Sequence, residues 1–194
     1  MLKMDMAPIR TETRFTGVPI SRGKAIARVC MYNQNRHADL PLYHVSDQGV
    51  KGEQDRLRQA IAVAAEQLDG WVERLRQQIG PAEAQVFEAH KAILTDQALV
   101  HEVIRRIQTQ RVNAETALIQ TLDTYQSRLL QVENEYIRDR VADIGEVQRR
   151  LLDVLADRSP HLHCSDQASC CQGRDRIVVA EELTPTLTVG LQAE

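Results

Sequence analysis

The sequence has few aromatic residues, no excess of basic charge and no long apolar run. Phe, Trp and Tyr make up only 4% of its 194 residues, which disfavours an aromatic-rich β-sandwich. Its 24 Lys and Arg face 27 Asp and Glu, and no basic stripe stands out. The apolar runs, such as 60–65, are far shorter than the roughly 20 residues of a membrane span. We therefore expect no nucleic-acid partner and no membrane segment.

Cysteine is also scarce, and the first residues lack the apolar core of a signal peptide. Four Cys do not make a disulfide scaffold, and residues 1–13 carry charges rather than an apolar run. We therefore expect a cytoplasmic protein with reduced thiols, in which residues 1–13 form a flexible tail.

Glycine and proline are absent from Ala82 to Ile144, which predicts a largely helical middle. Apolar residues recur there at steps of three and four, the period of a helix with one buried face. The predicted helices are about Glu53–Ile79, about Ala82–Leu94 with Pro81 at its first turn, one capped by Thr95-Asp96, one capped by Asn113, and about Glu135–Ala156. Gly145 interrupts the last of these at a cost of about 1 kcal/mol, which suggests close packing at that point.

The second helix has two different faces. Val86, Phe87, His90 and Leu94 form a predicted core face. The opposite face is partly apolar and partly acidic, a combination that suits a small basic partner. It consists of Gln85, Glu88, Ala89, Ala92, Ile93 and Asp96. An ordinary solvated helix face explains the same pattern equally well.

His90 lies on the predicted core face of the second helix. The simpler interpretation is a buried histidine with satisfied hydrogen bonds. The alternative is a phosphorylated or ligand-binding histidine, which is less favoured because no acid or base stands beside it in the sequence as a partner.

Both ends of the chain show strand patterns. Lys24–Tyr32 alternates as a half-buried strand, and Arg176–Ala180 is a short buried one. Thr184-Pro185 then has the cap and first-turn proline of a new helix. Neither strand can bury itself alone, so the simplest arrangement is a discontinuous α/β domain with a helical domain inserted into it.

No catalytic motif is evident, but one segment is rich in metal-binding residue types. Residues 161–171 contain five His and Cys side chains, although their spacing matches no standard zinc site. An exposed loop is the simpler explanation, and we predict no metal site. A metal-binding regulator is the alternative.

Five segments in order resemble Enzyme I, the phosphoenolpyruvate–protein phosphotransferase of bacterial sugar transport. They are residues 17–27, Val86–Asp96, Asn113–Glu115, Glu135–Leu152 and Ile177–Pro185. The resemblance implies a mostly α fold with a partial α/β part: a helical bundle that binds the phosphocarrier HPr, inserted into a truncated phosphohistidine α/β domain. We expect the α/β part at 14–46 and 159–194, and the helical domain at 47–158.

The resemblance also implies what the chain does. The helical part docks HPr for phosphoryl relay, through the face of Gln85, Glu88, Ala89, Ala92, Ile93 and Asp96. In the family, Thr184 lies beside the phosphorylated histidine, whose motif falls beyond Glu194. Phosphoenolpyruvate and Mg²⁺ belong to the full-length family, so we expect no cofactor and no catalysis from this chain alone. The alternative is a non-enzymatic helical interaction or regulatory module, and self-association is also open.

Overall fold

The computed structural model describes residues 16–32, 37, 39–157, 174–180, 184–185 and 188. In this part of the chain, five helices lie between two strands, so the predicted mostly α fold with a partial α/β part is confirmed. The elements are β1 (Arg28–Tyr32), α1 (Asp47–Gln78), α2 (Pro81–Leu94), α3 (Gln97–Gln110), α4 (Ala114–Leu130), α5 (Glu135–Leu155) and β2 (Arg176–Ala180).

Helix α1 begins six residues before the predicted start. Ser46 is its N-cap residue and Asp47 lies in its first turn, where a carboxylate favours the helix. Gly49 and Gly52 make the sequence of this turn atypical of a helix. Close packing does not require the glycine at position 52, because a side chain there would meet open space. The helix tolerates both glycines because its length and its buried stripe stabilise it as a whole.

The core of the bundle follows the predicted helical period. In α1 the buried residues include Leu57, Ala64, Leu68, Val72 and Leu75. Ile79, which the sequence pattern included in this stripe, is instead the C-cap residue and is exposed. The other helices contribute the remaining buried apolar side chains: Ala84, Phe87, Leu94, Leu99, Val103, Ile107, Ala117, Leu118, Leu122, Ile144, Val147, Leu151 and Leu152.

Helices α1 and α2 form an antiparallel pair. Asp69 of α1 bonds Lys91 of α2, and Arg76, further along α1, bonds Glu88, which comes earlier in α2. Gly80 and Pro81 make the tight connection between the helices, with Pro81 in the first turn as predicted. This pairing fixes which side of α2 points away from α1.

The two strands pair although about three-quarters of the chain separates them. They are parallel, with Cys30 opposite Val178 and Met31 opposite Val179. The predicted second strand matches β2, whereas β1 covers only Arg28–Tyr32 of the longer run predicted from Lys24. Residues 22–27 are exposed and have no regular structure. Parallel strands need a long crossover, and here the described helices lie within it.

A buried polar cluster fastens the segment before α1 to the start of α4. The Asn113 side chain accepts from the backbone N of Thr116 at 3.3 Å as the cap of α4, and it donates to the backbone O of Pro41 at 2.8 Å. Glu115 binds both Asn113 and Arg56. The sequence motif Asn113–Glu115 is therefore explained by a capped helix start that also holds the entry to the bundle.

Candidate functional site

The outer side of α2 carries the residues that sequence reasoning selected for a partner. Gln85, Glu88, Ala92 and Asp96 are exposed, and Ala89 and Ile93 are half-buried. We call these six residues the α2 face. They lie on one side of the helix because they recur at its period, while Ala84, Phe87, His90 and Leu94 point into the core.

Val86 was predicted to lie in the core, and that prediction was wrong. The side chain is 36% exposed, and Ala84 occupies the buried position instead. The i, i+3, i+7 spacing puts Val86 in line with Ala89 and Ile93. The structure thus adds an apolar residue beside the α2 face, and its apolar row is longer than the sequence pattern indicated.

The charges on the α2 face already have partners within the chain. The Glu88 carboxylate binds the Arg76 guanidinium, and both side chains are about half exposed. Asp96 accepts from the backbone N of Leu99 at 2.8 Å, as the N-cap of α3. Asp96 was predicted both as a cap and as part of the α2 face. The structure shows the cap directly, and the carboxylate remains at the surface.

His90 lies directly behind the α2 face, and its ring is buried. Its side chain is 2% exposed, and its Nε2 lies 3.2 Å from Oδ1 of Asp143 in α5. The edge of Phe87 packs against the ring at 5.7 Å between centroids. Burial lowers the pKa of His90, although the hydrogen bond to Asp143 works in the opposite direction. His90 is therefore neutral in the folded protein at neutral pH.

The acidic partner of His90 is something sequence reasoning missed. Asp143 is 53 positions further along the chain, within the segment Glu135–Leu152. It also accepts from Nη1 of Arg140 at 2.9 Å, so one carboxylate joins the buried ring to an exposed guanidinium. Arg140 and Asp143 are three positions apart in α5, so helical spacing alone places them side by side. His90 reaches Asp143 only because α2 packs on α5.

A cleft of about 500 Å³ opens beside His90, between α4, α5 and the residues that follow β2. Its lining mixes apolar side chains with polar and charged ones, the latter including His37, Asp123, Glu146, Arg149 and Thr184. Thr184 is buried, and its backbone O accepts from the N of Thr188 at 3.0 Å, as expected at a helix start. His37 also bonds Asp153 of α5 at 2.8 Å.

Gly145 belongs to this cleft and does not mark close helix packing. A methyl group at this position would meet the Arg149 and Gln126 side-chain ends at 3.6 and 3.7 Å, ordinary contact distances. The expectation of close packing at Gly145 was therefore wrong. The glycine lies in the wall of an open space that side chains only partly fill.

No metal centre is visible in the described part of the chain. There, no three His, Cys, Asp or Glu side chains are grouped so that they could hold a metal ion. The segment 161–171, rich in His and Cys, lies outside the described residues. No described helix has the length and apolar character needed to cross a membrane.

Comparison with known proteins places the chain in a family. The model of the PEP-utilising enzyme N-terminal family matches residues 16–140. The chain belongs to this family. That match includes the α2 face, His90 and the capped start of α4. It ends at Arg140, before β2 and Thr184.

Curated members of the family are similar over most of the chain. The phosphoenolpyruvate-protein phosphotransferase of Enterococcus faecalis is 33% identical over 177 residues, which are 90% of this chain and 29% of that protein. That of Geobacillus stearothermophilus is 31% identical over 183 residues, 94% of this chain and 30% of that protein. The chain thus spans less than a third of the length of these relatives.

Two solved structures share the fold. An NMR solution structure of Enzyme I (nEIt) matches with a TM-score of 0.69 at 24% identity, over 89% of this chain and 66% of that one. The N-terminal domain of Enzyme 1 - Nitrogen matches with a TM-score of 0.63 at 23% identity, over 87% of this chain and 65% of that one. The fold expected from the resemblance is therefore confirmed.

Proposed function

We propose that this chain is the partner-docking part of a phosphoenolpyruvate–protein phosphotransferase and that it binds an HPr-type phosphocarrier in the cytoplasm. The observation that carries the proposal is the α2 face, with its apolar row of Ala89, Ile93 and the neighbouring Val86 on the outside of a firmly packed helix. Membership of the family and the names of the curated relatives support the same assignment.

The composition of the α2 face suits a small basic partner. The centre of the face is apolar and protrudes little, because it consists of Ala89, Ala92 and Ile93. Another surface can therefore approach the helix closely. Glu88 and Asp96 lie at its edge, where exposed charges act mainly on the association rate and on partner choice. A few central residues then supply most of the binding energy.

In this proposal the chain contributes docking, and the phosphoryl-transfer chemistry depends on groups elsewhere in the full-length family. Thr184 is the one residue that the resemblance places beside the phosphorylated histidine, and it lies in the cleft with His90. The resemblance attaches phosphoenolpyruvate and Mg²⁺ to the full-length family, and the proposal assigns neither of them to the described residues.

A binding measurement with a matched pair of variants tests the proposal. Ala92 and Ala62 are both exposed helix alanines, on α2 and α1 respectively. We expect calorimetric titration with a purified HPr-type phosphocarrier to show binding by the wild-type chain, loss of binding by Ala92→Arg and unchanged binding by Ala62→Arg. Equal affinities for the two variants, or no binding by the wild type, would reject the α2 face as a docking surface.

One observation favours a second function, that of a module that associates with itself. Val29 and Met31 of β1 and Val179 of β2 are 47%, 55% and 40% exposed, and the strand register puts them on one face of the sheet. Exposed apolar side chains grouped on one surface promote association. Sedimentation over a range of concentrations distinguishes the two functions, because self-association through the sheet should persist in Ala92→Arg.

A further inference from the structure

His90 is a buried titratable group that the docking proposal does not use. Its ring faces away from the α2 face, and its Nε2 lies 3.2 Å from the carboxylate of Asp143. A neutral imidazole can donate from Nε2 to a carboxylate, and this bond ties the middle of α2 to α5. The ring thus lies at one of the contacts that hold α2, and with it the α2 face, against the rest of the bundle.

We propose that His90 is a positioning residue for the α2 face: its neutral ring, bonded to Asp143, holds α2 against α5, and its protonation loosens α2 and weakens partner binding. This inference rests on the proposed docking function. It concerns the regulation of that surface by pH and adds no contact to the partner.

The surroundings of His90 explain why a proton there would move the helix. A charged ring at this depth needs water or full compensation by neighbouring charges. Asp143 and Glu146 of α5 favour the charged ring, whereas Arg150 of the same helix and the burial itself oppose it. Burial is the largest of these influences, so the neutral ring is the form that fits the closed packing.

Aromatic rings and a cleft complete the surroundings of His90. Phe87 of α2 packs against the ring, and Trp71 of α1 packs against Phe87. Asp123 of α4 and His37 line the same cleft as His90. The cleft gives water a route to the ring if α2 shifts outward, so a shift of α2 is a way to hydrate the charge.

The partner binds only the state in which α2 packs against α5, and the proton favours the state in which α2 is loosened. By linkage, each therefore weakens the binding of the other. One proton can change affinity by at most about tenfold per pH unit. The ordinary pKa of histidine is about 6.5. We therefore expect the affinity of the wild type for its partner to fall as the pH decreases below that value.

His90→Gln is the matched control, because a glutamine amide can donate to Asp143 and does not titrate in this range. The first measurement needs no partner: Trp71 is the only tryptophan, and its ring contacts Phe87, so its fluorescence reports on this packing. We expect a fluorescence change in the wild type as the pH falls below about 6.5 and none in His90→Gln. Identical pH curves for the two chains would overturn the proposal.

The second measurement follows binding of an HPr-type phosphocarrier at about pH 7.5 and 5.5. We expect affinity to fall further in the wild type than in His90→Gln, by at most about tenfold. The variant retains any titration that belongs to the partner. Parallel losses would overturn the positioning role while leaving docking intact. Absence of binding by both chains at the higher pH would instead reject the docking function and this inference with it.

Asp143→Asn provides an independent check if His90→Gln does not fold. The Asp143 carboxylate favours the charged ring, so its removal should move the Trp71 transition to lower pH. A transition that stays in place, or moves to higher pH, would contradict the assignment of that transition to His90.

Discussion

Glu88, the central carboxylate of the α2 face, forms an ion pair with Arg76 of the neighbouring helix α1. A basic partner must therefore compete with an internal guanidinium for this carboxylate. The pair is about half exposed on both sides, and pairs of this kind contribute little to folding. Its main consequence is for binding, because Arg76 offsets the negative charge that the sequence pattern suggested.

Substitutions at the two members of this pair should change binding in opposite directions. Glu88→Lys should weaken binding of an HPr-type phosphocarrier about tenfold, whereas Arg76→Gln should speed association about twofold by leaving Glu88 unopposed. Stopped-flow association at low and high salt measures both effects, which should shrink as salt screens exposed charges. If both substitutions shift the rate in the same direction, charge on this face does not steer the partner.

The two roles of Asp96 can be separated by two substitutions. Asparagine caps helices about as well as aspartate, so Asp96→Asn should keep the stability of α3 while removing the charge. Asp96→Ala loses the bond to the backbone N of Leu99 and should cost about 1 kcal/mol in the free energy of unfolding. Denaturant unfolding measures both variants. Equal stabilities of Asp96→Ala and the wild type would contradict the capping role.

Gly145→Ala should stabilise the protein. Alanine gains about 1 kcal/mol over glycine inside a helix, and the new methyl group meets only flexible side-chain ends at ordinary distances. Thermal unfolding should therefore show a higher midpoint for the variant. A lower midpoint would mean that the space beside Gly145 is needed for packing, as the sequence pattern alone suggested.

Stability should also depend on pH through His90. Its folded-state pKa is lowered by burial, whereas the unfolded chain retains the ordinary value near 6.5. The unfolded state therefore takes up the proton first, so this stability is fully present above about pH 6.5 and is lost as the pH falls through the folded-state pKa. Denaturant unfolding of the wild type and His90→Gln should diverge by at most about 1.4 kcal/mol per pH unit below that value. A constant difference between them would contradict the account.

Sequence periodicity was sufficient to predict the helices, because each helix packs a single apolar face against a common core. The caps at Asp96 and Asn113 and the first-turn Pro81 were predicted because their chemistry is local. The start of α1 was missed because two glycines obscure a turn that the rest of a long helix stabilises. Pairing of the distant strands followed from the physical need of each to bury its apolar residues.

The candidate site was less accessible from sequence because its contacts join distant segments. Nothing local to His90 indicates Asp143, and nothing local to Glu88 indicates Arg76. Val86 was misplaced because a wide apolar stripe on a short helix does not show where its buried part ends. These contacts and exposures depend on how α1, α2 and α5 pack against one another, whereas a single sequence shows only the apolar period of each helix.

The most direct test of the central claim is an NMR titration of the isotope-labelled chain with an unlabelled HPr-type phosphocarrier. The account predicts that the largest backbone shift changes fall on the outer side of α2, from Gln85 to Asp96, with smaller changes on α1 near Arg76. Shift changes confined to the sheet around Val29 and Val179, or no changes at all, would contradict docking through the α2 face.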